Sequence, residues 1–195
     1  MPHRFDPANR HRLLSEDRYG TNPPGPILDR LPLRPADTIA DIGCGPGFFT
    51  LPLAERTSEG TVYAIDVAQQ MLDMVTERAT EAKLGNIRTM QAEESALDLP
   101  PASLDGAFLG LVYHEFPDRV AYLRQLAALV RPGSWLALLD WDVRQNPGGG
   151  PPLEHRIAPD TAASEVEAAG WRLTARVMAN AWVYLLIAAY RGTAS

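Results

Sequence analysis

TIADIGCGPGFFT, residues 38–50, is the stretch whose reading decides the fold. A short apolar run ends in three glycines, Gly43, Gly45 and Gly47, and the chain turns through Phe48 and Phe49 into helical apolar spacing. A strand, a glycine-rich turn and a helix in that order hold a nucleotide-like ligand close to the backbone. Three ligands compete for such a loop: a dinucleotide, a nucleoside triphosphate, or something with no phosphate. A phosphate-cradling loop needs a Lys after its last glycine, and none stands there. A dinucleotide loop wants a third glycine where this chain has Phe48, whose bulk opposes the close helix approach that a pyrophosphate uses.

Working outward, TIADIG reads as a buried strand and PGPILDRLPL (24–33) as a short helix before it. FFTLPLAERT reads as a helix with Pro52 in its tolerant first turn, and TVYAID (61–66) as a second strand. Residues 68–83 form a helix with Met71, Leu72 and Val75 on one stripe. IRTMQA (87–92) and LDGAFLGLV (104–112) are the third and fourth strands. A helix at 119–130 stops at an RPG turn (131–133), before a fifth strand at 134–141. QNPGGGPPLEH (145–155) is a loop by composition. A helix over 159–170 starts at Asp160 or Thr161 and stops at Gly170. WRLTARVM and WVYLLIAAYR close the chain as a hairpin-like pair turning near Asn180. This alternation implies an α/β fold: a three-layer, doubly wound, Rossmann-like sheet of about seven strands, mostly parallel with an antiparallel C-terminal strand. Residues 1–30 read as an N-terminal arm and residues 31–195 as one domain. Such sheets bind ligands beyond the carboxyl ends of their strands.

The composition, 46% hydrophobic and 22% charged over 195 residues, suits a globular domain with a substantial core. A net charge of −6 is a poor starting point for gripping nucleic acid. The single cysteine, Cys44, excludes an intrachain disulfide and a cysteine-cluster zinc site; it reads as a small residue packed in a tight loop, and no metal is expected. MPHRFDPANRHR lacks the apolar core of a signal peptide, and no run of about 18 apolar residues offers a membrane span. The expectation is a cytoplasmic protein with no membrane partner.

Neighbouring residues choose among the ligands. Asp41 precedes the first glycine by two residues, and Asp66 ends the second strand, where a carboxylate accepts hydrogen bonds from ribose hydroxyls. Glu93 follows the third strand. Taken together, DIGCGPG, strand-end Asp66, QAEE followed by LDLPPASLD, and LVYHEFPD (111–118) resemble the class I S-adenosylmethionine-dependent methyltransferases. Within them, the chain is similar to the small-molecule branch of ubiquinone/menaquinone-biosynthesis methyltransferases, over roughly residues 35–141.

That resemblance implies the cofactor S-adenosyl-L-methionine. It implies Asp41 and the backbone of Gly43 and Gly45 beside the methionine part, Asp66 on the ribose and Val67 against the adenine. Glu93, where the family usually has Asp, would accept from the adenine amino group, with the Glu94 N–H on a ring nitrogen. Leu109 and Gly110 would pass near the sulfonium. Bland roles stand beside these: Asp41 as a turn cap, Asp66 as a solvated strand end, Glu93 as a helix-start carboxylate.

Methyl transfer is an in-line displacement on an already activated carbon, so the protein mostly positions the reactants and excludes water. A general base is needed only where the acceptor must lose a proton. His114 and Asp140 are the leading catalytic candidates, with Tyr113, Glu115 and His155 behind them; Asp140 and Trp141 would line the acceptor pocket. His155 and Arg156 would bind an anionic group, or Arg156 would pair with Glu154 on the surface. The arm, with Arg4, Phe5 and Tyr19, would close over the cofactor. The short insertions imply a small acceptor or a pocket completed by a second subunit, a homodimer. Competing readings are a nicotinamide-dependent oxidoreductase, a non-catalytic cofactor-binding domain, and a protein or RNA methyltransferase.

Overall fold

A computed structural model describes residues 14–15, 20–92, 97–144 and 150–192. The chain divides into two compact units, residues 5–97 and residues 98–195. The strands form a seven-stranded sheet in the order β3-β2-β1-β4-β5-β7-β6, defined below.

In the first unit, α1 (Pro24–Leu28) precedes β1 (Thr38–Ile42), α2 (Thr50–Arg56), β2 (Thr61–Asp66), α3 (Gln69–Glu81) and β3 (Ile87–Gln91). The three strands are parallel, with Asp41 in register with Ala64 and Asp66 with Gln91. Helix α1 is half the length that PGPILDRLPL suggests, because the chain leaves helical geometry after Asp29. Helix α2 begins only at Thr50; Phe48 and Phe49 belong to the turn and pack edge to face, 4.9 Å apart. Phe48 fills core volume where a dinucleotide loop keeps a glycine. The stripe on α3 is as read: Met71, Leu72, Val75 and also Ala79 are buried. Leu72 and Val75 pack with Cys44 and Ala64 under the glycine loop.

In the second unit, β4 (Leu104–Gly110) is followed by a 3₁₀ turn at Tyr113–Glu115, α4 (Arg119–Leu129) and β5 (Val130–Trp141). Then come α5 (Pro159–Ala168), β6 (Arg172–Met178) and β7 (Val183–Ala189). Strand β5 runs parallel to β4, and β7 lies antiparallel between β5 and β6. The sheet is therefore mostly parallel with one reversed strand near its end, as the alternation predicts. RPG is not a turn: it lies inside β5, which starts at Val130, with Gly133 (φ 87°) donating to the Tyr190 carbonyl. Helix α5 begins at Pro159, earlier than the polar residues Asp160 and Thr161 suggest, because Pro is already preset for a first helical position. Gly106 has no side chain because the Trp135 ring lies where its Cβ would stand, 2.1 Å from the nearest ring atom.

Among the described residues, no helix is long and apolar enough to cross a membrane.

Candidate active site

The carboxyl ends of β1 and β2 carry the glycine loop. Gly43, Gly45 and Gly47 hold φ of 66°, 52° and 84°, which L side chains rarely adopt. Gly47 has a second constraint: a Cβ there would meet Leu51 Cδ1 at 2.9 Å and Val75 Cγ2 at 3.2 Å. The Gly43 and Cys44 N–H groups donate to the Ile65 carbonyl, anchoring the loop to the end of β2. Arg78 reaches from α3 to donate to the Pro46 carbonyl.

Asp66 ties the loop to the next helix. One carboxylate oxygen accepts from the Gly45 N–H and the other from the Ala68 N–H, both at 2.9 Å. It is therefore not a merely solvated strand end. Each oxygen keeps a lone pair, so a diol could still be accepted beside these bonds. Burial raises the pKa of Asp66, with the Ala68 and Gly45 bonds pulling the other way. Val67 follows, 46% exposed, open apolar surface beside a polar strand end. Its carbonyl accepts from Gln91 Nε2.

Asp41 is 2% exposed and accepts a 2.6 Å hydrogen bond from the Thr50 hydroxyl, the first residue of α2. Burial pushes its pKa up to about 7; the Thr50 bond opposes this and the nearby Asp66 adds to it. Thr50 and Arg78 join the site only through the fold, Thr50 by its bond to Asp41 and Arg78 by its bond to the Pro46 carbonyl. Cys44 is buried, its thiol donates to the Gly45 carbonyl, and burial pushes its pKa well up, so it is a packed neutral thiol. Glu93 and Glu94 lie outside the described residues, as do Arg4, Phe5 and Tyr19 of the arm.

The carboxyl ends of β4 and β5, in the second unit, carry the candidates His114 and Asp140. Leu109 and Gly110 are buried and register with Leu138 and Leu139. The next residue, Leu111, sits at φ 63° without being glycine, a strained position at the strand end. From here the chain enters the 3₁₀ turn that delivers His114. Its Nδ1 lies 2.8 Å from Asp140 Oδ1, and its backbone N–H donates to Asp140 Oδ2 at 2.9 Å. Trp141 N–H donates to Asp140 Oδ1. Asp140 is 0% exposed and the His114 side chain 4%. Three donors around one carboxylate fix the proton on Nδ1 and leave Nε2 as the proton acceptor of a neutral ring. Burial lowers the His114 pKa, but the Asp140 charge and hydrogen bond outweigh it, and the net shift is upward.

Glu115 lies 3.8 Å from His114 Nε2. Tyr113 is used structurally: its hydroxyl donates to Glu165, which also takes a bidentate pair from Arg119. Arg156 is not a surface partner of Glu154. It is 6% exposed, donates to the Pro151 and Asp142 carbonyls, and lies over the Trp141 ring at 5.2 Å. His155 ends a short 3₁₀ turn.

A glycine loop bound by a strand-end carboxylate and a histidine–aspartate pair at a second strand end, on strand order 3-2-1-4-5-7-6, define a class of protein. Residues 39–133 match the family model described as a methyltransferase domain. Residues 39–133 thus carry a methyltransferase domain, and the chain is similar to S-adenosylmethionine-dependent methyltransferases. Among individual relatives, it is 34% identical to a trans-aconitate 2-methyltransferase from Azoarcus sp. (strain BH72) over 163 residues, 83% of this chain and 60% of that protein. It is 30% identical to a demethylmenaquinone methyltransferase from Listeria monocytogenes serotype 4a (strain HCC23), over 56% of this chain and 47% of that protein. The chain thus spans only 47–60% of the length of these curated relatives. The crystal structure of a SAM dependent methyltransferase from Aquifex aeolicus is similar with a TM-score of 0.90 and 27% identity, covering 95% of this chain and 98% of that one.

Proposed function

We propose that the protein transfers a methyl group from S-adenosylmethionine to a small-molecule acceptor by in-line displacement. The observation that carries this reading is the Asp66 carboxylate holding the Gly45 and Ala68 N–H groups with exposed Val67 between them in sequence. An acceptor for a diol next to an apolar platform fits a nucleoside better than a phosphate. When bound, the cofactor supplies a methyl carbon activated by its sulfonium. Asp66 would then hold the ribose and Val67 would pack on the adenine, with Glu93 and Glu94, outside the described residues, as the proposed partners of the base. Asp41 and the backbone of Gly43 and Gly45 face the methionine part, and a cation there favours ionised Asp41. Leu109 and Gly110 line the path to the reacting carbon.

His114 Nε2 takes a proton from the acceptor, and buried Asp140 stabilises the imidazolium that results. The acceptor is a small molecule, the class that the names of the curated relatives print. The net charge of −6 disfavours nucleic acid as the acceptor. The proposal includes work in the cytoplasm, a second copy that completes a homodimer, and a cofactor lid at residues 1–30, most of which lie outside the described residues. Unchanged cofactor affinity after deletion of residues 1–20 would remove the lid.

The test is transfer of labelled methyl from the cofactor to a fractionated metabolite extract. Label in the small-molecule fraction, lost in His114→Ala, supports the reading. Label in protein or RNA replaces the acceptor class, and no label with intact cofactor binding indicates a non-catalytic binder.

A further inference from the structure

Arg156 follows the short 3₁₀ turn at Leu153–His155 and is 6% exposed. Its Nε donates to the Pro151 carbonyl at 3.0 Å and its Nη1 to the Asp142 carbonyl at 3.3 Å. The guanidinium lies over the Trp141 ring, 5.2 Å from the centroid. Gly150 packs so closely on the same ring that a Cβ there would stand 2.7 Å from it. The segment 150–156 therefore grips one indole and the backbone beside it. Trp141 is the residue after Asp140, and its N–H donates to Asp140 Oδ1 at 2.8 Å. That oxygen is the one 2.8 Å from His114 Nδ1. Arg156 thus holds residues 141 and 142, immediately after the carboxylate that orients His114.

His114 lies among three charges. Burial lowers its pKa, the Asp140 charge and hydrogen bond and then the Glu115 charge raise it, and the Arg156 charge lowers it. Two carboxylates beside an imidazole favour the protonated ring, and a protonated ring accepts no proton. Arg156 is the cation that opposes them, and a guanidinium keeps its charge throughout the working pH range. Burial lowers the Arg156 pKa, while the Asp140 and Asp142 charges raise it, so the guanidinium and Asp140 sense one another from both sides. Tyr184 of β7 stands opposite Asp140 in the register; burial raises its pKa well above the ordinary tyrosine value, so it adds no charge. The other carboxylates around Tyr184 are engaged, Glu165 with Arg119 and Tyr113 and Asp142 with Arg144.

We propose that Arg156 is a positioning residue for His114: clamped on Trp141, it fixes the strand end that presents Asp140 and sets a positive charge against Asp140 and Glu115, so that Nε2 gives up its proton more readily than the carboxylates alone would allow. The role rests on the reading of His114 as a general base. It differs from the anion contact that the sequence suggests for Arg156, because the guanidinium works through Asp140 and His114 and not on the acceptor.

The experiment follows the four histidines of the full chain by NMR over a pH series, with His114 assigned by the signal lost in His114→Gln. Wild type is compared with Arg156→Gln, which removes the charge, and Arg156→Lys, which keeps it. The His114 titration midpoint should move upward in Arg156→Gln and stay near wild type in Arg156→Lys. Trp141→Leu keeps Arg156 but takes away its platform, so it should move the midpoint upward as well, and it carries the test where Arg156→Gln does not fold. A midpoint unmoved or lowered in Arg156→Gln and Trp141→Leu, or raised equally in Arg156→Lys, overturns the proposal. Labelled methyl transfer into the small-molecule fraction should fall several-fold in Arg156→Gln at about pH 6 and recover toward wild type at about pH 9, with S-adenosylhomocysteine affinity unchanged. A rate lost equally at both pH values overturns the charge balance and leaves Arg156 a packing residue. The midpoint is read without acceptor or cofactor, so the two readings fail separately. A midpoint that depends on Arg156 beside absent methyl transfer in wild type removes the methyltransferase reading and supports the charge balance. Intact methyl transfer beside a midpoint indifferent to Arg156 does the reverse.

Discussion

Replacing Asp41 with Asn tests the electrostatics beneath the glycine loop. The carboxyl is fully out of water, and its pKa rises from 3.8 to about 7. The unfolded chain releases this proton near the ordinary carboxylate pKa, while the folded chain holds it to about 7. The stability that Asp41 contributes is therefore complete below its unfolded pKa and is lost as pH rises through about 7. At about 1.4 kcal/mol per tenfold, the loss is on the order of 4 kcal/mol. Asn keeps an oxygen for the Thr50 hydroxyl and cannot ionise, so this slope disappears. Raised Asp66 and His114 add slopes of the same sign, but both proteins share them. The assay is urea unfolding from about pH 4 to about pH 8. The difference between the two curves should move in favour of the variant by several kcal/mol across that range. Parallel curves would refute the buried-acid reading of Asp41.

His114→Gln should lower kcat by roughly 10²–10⁴ while leaving cofactor affinity intact, measured by initial rates and calorimetry. Because Asp140 raises the His114 pKa, activity should climb with pH through a value above 6.5, and Asp140→Asn should move that limb downward; an unmoved limb would free His114 from the role. Gly47→Ala forces an unfavourable φ of 84° and a clash with Leu51, so it should cost about 1–3 kcal/mol in thermal or urea unfolding. Glu165→Ala strips Tyr113 and Arg119 of their shared acceptor and should cost about 1–3 kcal/mol, which Glu165→Gln should partly restore.

Much of the fold is legible in the sequence because its signals are local. TIADIG and TVYAID are apolar runs bounded by turns, and Met71, Leu72 and Val75 repeat at helical spacing. The errors fall where one local rule competes with another. RPG reads as a turn, yet β4 pairing extends β5 back to Val130. The polar pair Asp160 and Thr161 reads as a helix start, yet Pro159 is already the first helical residue. The site divides in the same way. Asp66 is legible from its spacing to the glycines. The Thr50 bond to Asp41 depends on where a helix begins, and the His114–Asp140 bond spans 26 positions through the register of β4 and β5.

Titration of the purified protein with S-adenosylmethionine, S-adenosylhomocysteine and NAD(H), beside Asp66→Ala, tests the central claim most directly. The two sulfur nucleosides should bind wild type and lose about tenfold or more in affinity in the variant, while NAD(H) should not bind. Binding of NAD(H) alone, or affinities untouched by Asp66→Ala, would contradict the assignment of the glycine loop.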